Sequence, residues 1–218
     1  MNDGVWTTVT GCEAVSEGCW ECTGRKGWAM LAADAGSVCY GRRFEEVRIH
    51  PEWLTLPLRW KAPRLVSVNP LSDLFHEAVP DNFIADVFKV MSEAPQHTFL
   101  LLTKRPERMC LLLDGWARER EPSYTGLPNL WLGVAVEGPA WADIRVSWLM
   151  QTPAVHRWAY LEGAEGWAGV PPVARRLDRV VAGPATRIGI RQAWLQCDGQ
   201  TPGGGDDGCE ADALDCIA

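Results

Sequence analysis

Apolar and polar positions fall into two alternating regimes along the chain. Short β-like runs at 6–10, 64–68, 98–102, 130–136, 157–161 and 179–182 predict strands. Between them lie segments with helical period. Residues 81–94 place Phe83, Ile84, Val87, Phe88 and Met91 on one face, and 106–118 opens on Pro106, where a first helical turn tolerates proline. A third segment, 139–150, carries Trp141, Ile144, Trp148 and Leu149 on one stripe. Alternating strand and helix predicts parallel strands joined by right-handed crossovers, and a run such as Phe99-Leu100-Leu101-Leu102 suits a strand buried on both faces. Six β/α units are too few for a closed eight-stranded barrel, so the expected fold is α/β, a partial parallel (β/α)6 barrel. The expected organisation is one domain over 1–196, with an insert at 23–63 read as a helix near 26–33 plus a loop lid. A Gly- and Asp-rich tail at 197–218 is expected to be disordered.

In such folds chemistry gathers at the C-terminal ends of the strands. There the sequence places Gly11-Cys12 after the first strand, Asn69, Ser72 and Asp73 after the second, and Thr103, Lys104 and Arg105 after the third. Glu137 and Glu162 follow the fourth and fifth. A polar ring around one mouth is the expectation, with Cys12, Asp73, Lys104, Glu137 and Glu162 facing one cavity. Lys104 and Arg105 suit a phosphate or carboxylate, with a solvated helix start as the equal alternative. His76 reads as a capping or packing residue rather than an acid or base, and Asp81 as a helix cap ahead of Phe83.

Composition narrows the partners. The chain has 218 residues, 47% of them hydrophobic, and a net charge of −7 that comes mostly from six acidic residues in the tail. The folded part is therefore near neutral, which argues against broad duplex binding while leaving room for a local basic channel. Twelve Trp against five Phe and three Tyr suggest either stacking platforms for bases or, with more weight, core and strand-end packing. No apolar stretch reaches the length of a membrane span, and the opening Met-Asn-Asp-Gly-Val-Trp has no signal-peptide pattern, so no membrane partner and a cytoplasmic location are expected.

In a reducing compartment eight cysteines point to ligands or free thiols rather than disulfides. Cys12, Cys19 and Cys22 form a C-x6-C-x2-C triplet on one glycine-containing loop directly after the first predicted strand. Three thiolates suit an iron–sulfur cluster with one iron left open for a substrate or cofactor. Zinc would want a fourth ligand, for which Cys39 and His50 are the nearby candidates, and unliganded thiols are the third reading. Cys110 reads as a buried helix thiol.

The strings Val9-Thr-Gly-Cys12, Gly18-Cys19-x-x-Cys22, His50-Pro-Glu-Trp-Leu, Pro57-Leu-Arg-Trp60, Ser72-Asp-Leu-Phe-His76 and Leu102-Thr-Lys-Arg-Pro-Glu-Arg-Met109 resemble a family of phage and bacterial proteins with a three-cysteine motif. That family is similar to the radical-SAM superfamily in carrying three cysteines after the first strand of a parallel β/α barrel. The resemblance spans about residues 5 to 183. It implies a [4Fe–4S] cluster on Cys12, Cys19 and Cys22, S-adenosylmethionine on the open iron, and reductive cleavage to a 5′-deoxyadenosyl radical that takes a hydrogen atom from substrate. Asn69, Ser72, Asp73 and Thr103 would then shape the cofactor side of the mouth, and Lys104, Arg105, Glu137 and Glu162 the catalytic side. The superfamily's first cysteine gap is three residues, and here it is six, with Glu21 where the superfamily has an aromatic residue. The implied setting is a bacterial or phage-infected cell.

The expected function is thus an iron–sulfur, S-adenosylmethionine-dependent radical enzyme acting on a small molecule, nucleobase or nucleotide, with nucleic acid as a candidate partner and any partner protein unidentified. The competing reading is a non-catalytic Fe–S or zinc protein, or a truncated inactive copy.

Overall fold

The computed structural model describes residues 2–120, 126–163 and 171–183. The expectation of a disordered tail at 197–218, with Cys197, Cys209 and Cys216, lies outside the described residues.

Six strands form one wholly parallel sheet: β1 (Asn2–Trp6), β4 (Arg64–Val68), β5 (Thr98–Thr103), β6 (Leu130–Val136), β7 (His156–Glu162) and β8 (Arg179–Gly183), in that spatial order. Two further short strands, β2 (Val9–Thr10) and β3 (Arg48–Ile49), pair antiparallel outside it. Helices α2 (Asp81–Glu93), α3 (Pro106–Arg120) and α4 (Pro139–Gln151) make the crossovers after β4, β5 and β6. Helix α1 (Thr23–Ala33) follows the cysteine loop, where a helix was expected within the insert. Each crossover steps the chain one strand further in the same direction. Helices α2, α3 and α4 pack into one apolar cluster on the same face of the sheet. Among the described residues β1 and β8 are the two edges and do not pair with each other, so the structure is a six-stranded parallel α/β sheet and the expected closure into a partial barrel is not seen.

Both faces of the central strands are apolar, as the uninterrupted runs require. One face, through Val66, Val68, Phe99, Leu101, Leu132, Val134 and Leu161, packs against Phe83, Ile84, Val87 and Met91 of α2, Met109 and Leu113 of α3, and Val146 and Leu149 of α4. The other face buries Leu65, Leu100, Leu102, Ala135, Trp158, Tyr160 and Val181 together. Trp158 lies opposite Gly133 in the register, and a Cβ there would sit 2.3 Å from the indole nitrogen. Gly133 is thus the clearance that lets a fully buried indole cross its neighbour strand.

Two expectations shift. The first strand, expected at 6–10, is Asn2–Trp6 in the main sheet, and Val9–Thr10 belongs instead to the antiparallel pair. The cause is Asn69, which adopts a left-handed φ of 49° and whose Oδ1 accepts hydrogen bonds from the Thr8 and Val9 amides at 2.6 and 3.0 Å. That side chain takes donors a continuing strand would have offered to β4. On α4 the buried stripe is Ala142, Arg145, Val146 and Leu149, and Ile144 is exposed. A charged residue therefore occupies a core position that the apolar pattern alone had passed over. Asp81 opens α2, but Pro80 holds the cap position, and the carboxylate instead accepts from Arg108 at 2.5 Å.

Candidate functional site

Because every strand of the large sheet runs the same way, the residues after β4, β5, β6 and β7 emerge at one end of it. The cysteine loop, entered from β2, lies over that end. A shallow cavity there is lined by Cys12, Cys19 and Cys22 together with Ser72, Asp73, Lys104 and Arg105, and is completed by Arg25, Phe44 and Leu71. All three cysteines are half-buried, and none is in a disulfide.

Two chains of contacts tie the loop to the strand ends. In the first, Arg105 Nη1 lies 3.6 Å from Cys12 Sγ while Nη2 donates to the Glu13 carbonyl at 3.2 Å. Its other contacts are Asp73 at 3.5 Å and Glu77 at 2.9 Å. Asp73 is 1% exposed and accepts from Thr103 Oγ1 at 2.7 Å and from the Lys104 amide at 3.0 Å. A buried carboxylate needs such donors to offset its desolvation. The paired carboxylates raise the Arg105 guanidinium above its ordinary value although burial opposes this.

In the second chain, Lys104 Nζ lies 2.7 Å from Glu162 and 3.5 Å from Glu137. Arg145, 1% exposed, pairs with Glu137, donates to the Ala135 carbonyl at 2.5 Å and stacks over Trp141 at 4.4 Å. The Ser16 hydroxyl donates to the same Glu137 carboxylate and lies 3.5 Å from Cys19 Sγ. Burial pushes the Glu137 carboxyl up, but Arg145, Lys104 and Ser16 outweigh it and hold it below its ordinary value. Burial likewise pushes the Cys19 thiol up, and it too ends below its ordinary value through a backbone hydrogen bond at Val15, the Ser16 hydroxyl and the Lys104 charge. A thiol so placed is readied to act as a thiolate ligand or nucleophile.

Cys12, Cys19, Cys22, Ser72, Asp73, Lys104 and Arg105 line one cavity, whereas Thr103, Glu137 and Glu162, expected there too, do not line it and reach it through Asp73 and Lys104. Asn69 sits nearby with its amide committed to Thr8 and Val9, and Ser72 Oγ donates to the Val9 carbonyl at 2.7 Å. Lys104 and Arg105 are buried and paired with carboxylates of this chain rather than solvated at a helix start. Sequence reasoning missed Ser16 and Arg145. Arg145 had a readable signal, a cation at the i+3 position from Ala142 on an otherwise apolar helix face. Ser16 had none, because its partner is 121 residues away.

The cysteine loop was expected to hold a metal, with Cys39 and His50 as candidate fourth ligands for zinc. Neither proposed fourth zinc ligand lines the cavity: Cys39 is buried beside Trp28 and Phe44, and His50 is bonded to Thr10 Oγ1 at 2.8 Å and Glu52 at 3.1 Å. Among the described residues no three His, Cys, Asp or Glu side chains converge as ligands of a single ion. Cys12, Cys19 and Cys22 are thus three thiols around one cavity. Among the described residues no helix is long and apolar enough to cross a membrane.

A family model described as a protein of unknown function, DUF5131, matches residues 1–193. No curated protein and no solved structure matches the chain.

Proposed function

The chain belongs to the DUF5131 family of proteins of unknown function, and on that premise we propose that it is an iron–sulfur, S-adenosylmethionine-dependent radical enzyme acting on a nucleobase or nucleotide. One observation carries the reading: three thiols from a single loop, none in a disulfide, line one cavity at the C-terminal end of a parallel sheet, beside Asp73, Lys104 and Arg105. Cys12, Cys19 and Cys22 would hold a [4Fe–4S] cluster, leaving one iron for S-adenosylmethionine. Bound there, the pair supplies one-electron cleavage of the sulfonium and abstraction of a hydrogen atom from substrate.

The chain's own residues do the holding. Arg105 and Ser16 fix the loop at its two ends through Cys12 and Cys19. Ser72 and Thr103 border the cofactor side, with Asn69 bracing the chain behind them and Asp73 fixing the start of α3 through the Lys104 amide. Lys104 lines the cavity, and its buried pair with Glu162 braces the polar floor from behind.

A second reading has its own support. Lys104, Glu137, Glu162 and Arg145 are already paired with one another, which suits a non-catalytic protein whose metal ties the loop to the sheet. Anaerobic purification with iron, sulfide and zinc analysis separates the two. The enzyme reading expects about four iron and four sulfide per chain, loss of both in Cys19→Ala, and release of methionine and 5′-deoxyadenosine when reductant and S-adenosylmethionine are added. Stoichiometric zinc without sulfide refutes it, and a cluster that never cleaves S-adenosylmethionine leaves the non-catalytic reading.

A further inference from the structure

Arg105 does more at the mouth than fix the cysteine loop. From sequence it reads as a free cation waiting for a phosphate. In the folded chain its side chain is 5% exposed and its donors face inward, to the Cys12 sulfur, the Glu13 carbonyl, Asp73 and Glu77. Those four contacts use four of the five N–H groups of a guanidinium. The fork thus holds the first cysteine by both its sulfur and its neighbouring backbone. Asp73 is held in turn by Thr103 and the Lys104 amide, so the guanidinium cannot easily turn toward solvent.

We propose that Arg105 is a positioning residue that sets the reduction potential of the Cys12-ligated cluster, by hydrogen-bonding the Cys12 sulfur and placing a buried positive charge beside it. The inference rests on the cluster reading above. Reduction adds an electron to the cluster, and a nearby cation with an N–H directed at a ligating sulfur stabilises the reduced form more than the oxidised one. Arg105 therefore raises the potential and makes the cluster easier to reduce. Asp73, buried, and Glu77, 68% exposed, each offset part of that charge, so Arg105 acts against the pull of two carboxylates.

The test is a redox titration of the anaerobically prepared full-length protein followed by the EPR signal of the reduced cluster, with iron and sulfide measured on each sample. Arg105→Gln should shift the equilibrium at least tenfold against reduction, about 59 mV for one electron. Arg105→Lys keeps the charge and loses the fork, and should fall between. Glu77→Gln, at an exposed position, should move the potential the opposite way by a smaller amount, so the test survives if Arg105→Gln fails to keep its cluster. Arg105→Gln with full iron and an unchanged potential overturns the inference while leaving the cluster reading intact. So does Glu77→Gln with an unchanged or lowered potential. An unsubstituted protein that binds no iron and sulfide overturns both.

Discussion

Glu137 was expected to act on substrate, but its contacts describe a clasp between the cysteine loop and the sheet. Its carboxylate takes Ser16 from the loop, Lys104 from the end of β5 and Arg145 from α4. Gly18 lies so close that an added Cβ would meet Glu137 Cγ at 2.7 Å. Glu137→Gln keeps the shape and removes the charge. Breaking one side of a buried ion pair costs about 3–5 kcal/mol when the orphaned charge has nothing else. Here Lys104 retains Glu162, and Arg145 retains the Ala135 carbonyl and the face of Trp141. The expected loss is accordingly about 2–3 kcal/mol, a fall in Tm of roughly 5–10 °C for a domain of this size. The local effect should exceed the global one, because Ser16 loses the charged acceptor that anchors the loop. Hydrogen exchange across residues 12–22 should accelerate at least tenfold in Glu137→Gln while α2 exchanges as before. The same clasp has an acid limit. The Glu137 carboxyl is held below its ordinary value, so its contribution is complete above the ordinary carboxylate range and is lost as pH falls through the folded value. Glu137→Gln should remove that acid-induced loosening of the loop. An unchanged Tm, together with unchanged exchange over the cysteine loop, would refute the clasp and return Glu137 to the candidates for acting on substrate.

Gly133→Ala should destabilise the apo protein by about 3 kcal/mol, since the new methyl would enter the buried Trp158 indole, and Trp158→Leu in the same chain should restore much of the loss. Equal thermal midpoints for the single variant and the parent would contradict the packing argument. His76 has its Nε2 buried without a partner and its Nδ1 accepting from the Ala78 amide at 3.1 Å, and burial, then the Arg105 charge, lower its proton affinity against the opposing pull of Glu77, Glu13 and Asp73. Because that folded value is depressed, the neutral ring's contribution is full above about pH 6.5 and is lost as pH falls through the folded value. Urea unfolding from pH 7.5 to 5 should show that slope in the parent and a flatter one in His76→Gln, and parallel slopes would count against it.

What could be read from the chain and what could not divide along a physical line. Leu130–Val136 and Arg64–Val68 stand where their apolar runs placed them, because a strand buried on both faces announces itself locally. The face of α2 is likewise local, fixed by a 3.6-residue period. The first strand was displaced because its limit is set by Asn69, more than sixty residues downstream, and no local pattern contains that information. The site divides in the same way. Parallel topology alone brings Asp73, Lys104, Glu137 and Glu162 to one end of the sheet, so their convergence was legible. Their pairing was not. Lys104 meets Glu162 across 58 residues of sequence and Arg105 meets Cys12 across 93, so each cation's apparent freedom disappears only on folding. That difference bears directly on function. Read locally, Lys104-Arg105 looks like an anion site open to solvent, whereas in the fold both charges are already balanced by acids of this chain. An anionic substrate would therefore have to displace Glu162 or Asp73 rather than fill an empty cradle, a costly exchange for groups so deeply buried. The thiols stand differently: Cys12, Cys19 and Cys22 line the cavity itself, and the buried cations reach them, Arg105 at the Cys12 sulfur and the Lys104 charge at Cys19, so the basic side chains act as supports of the sulfurs.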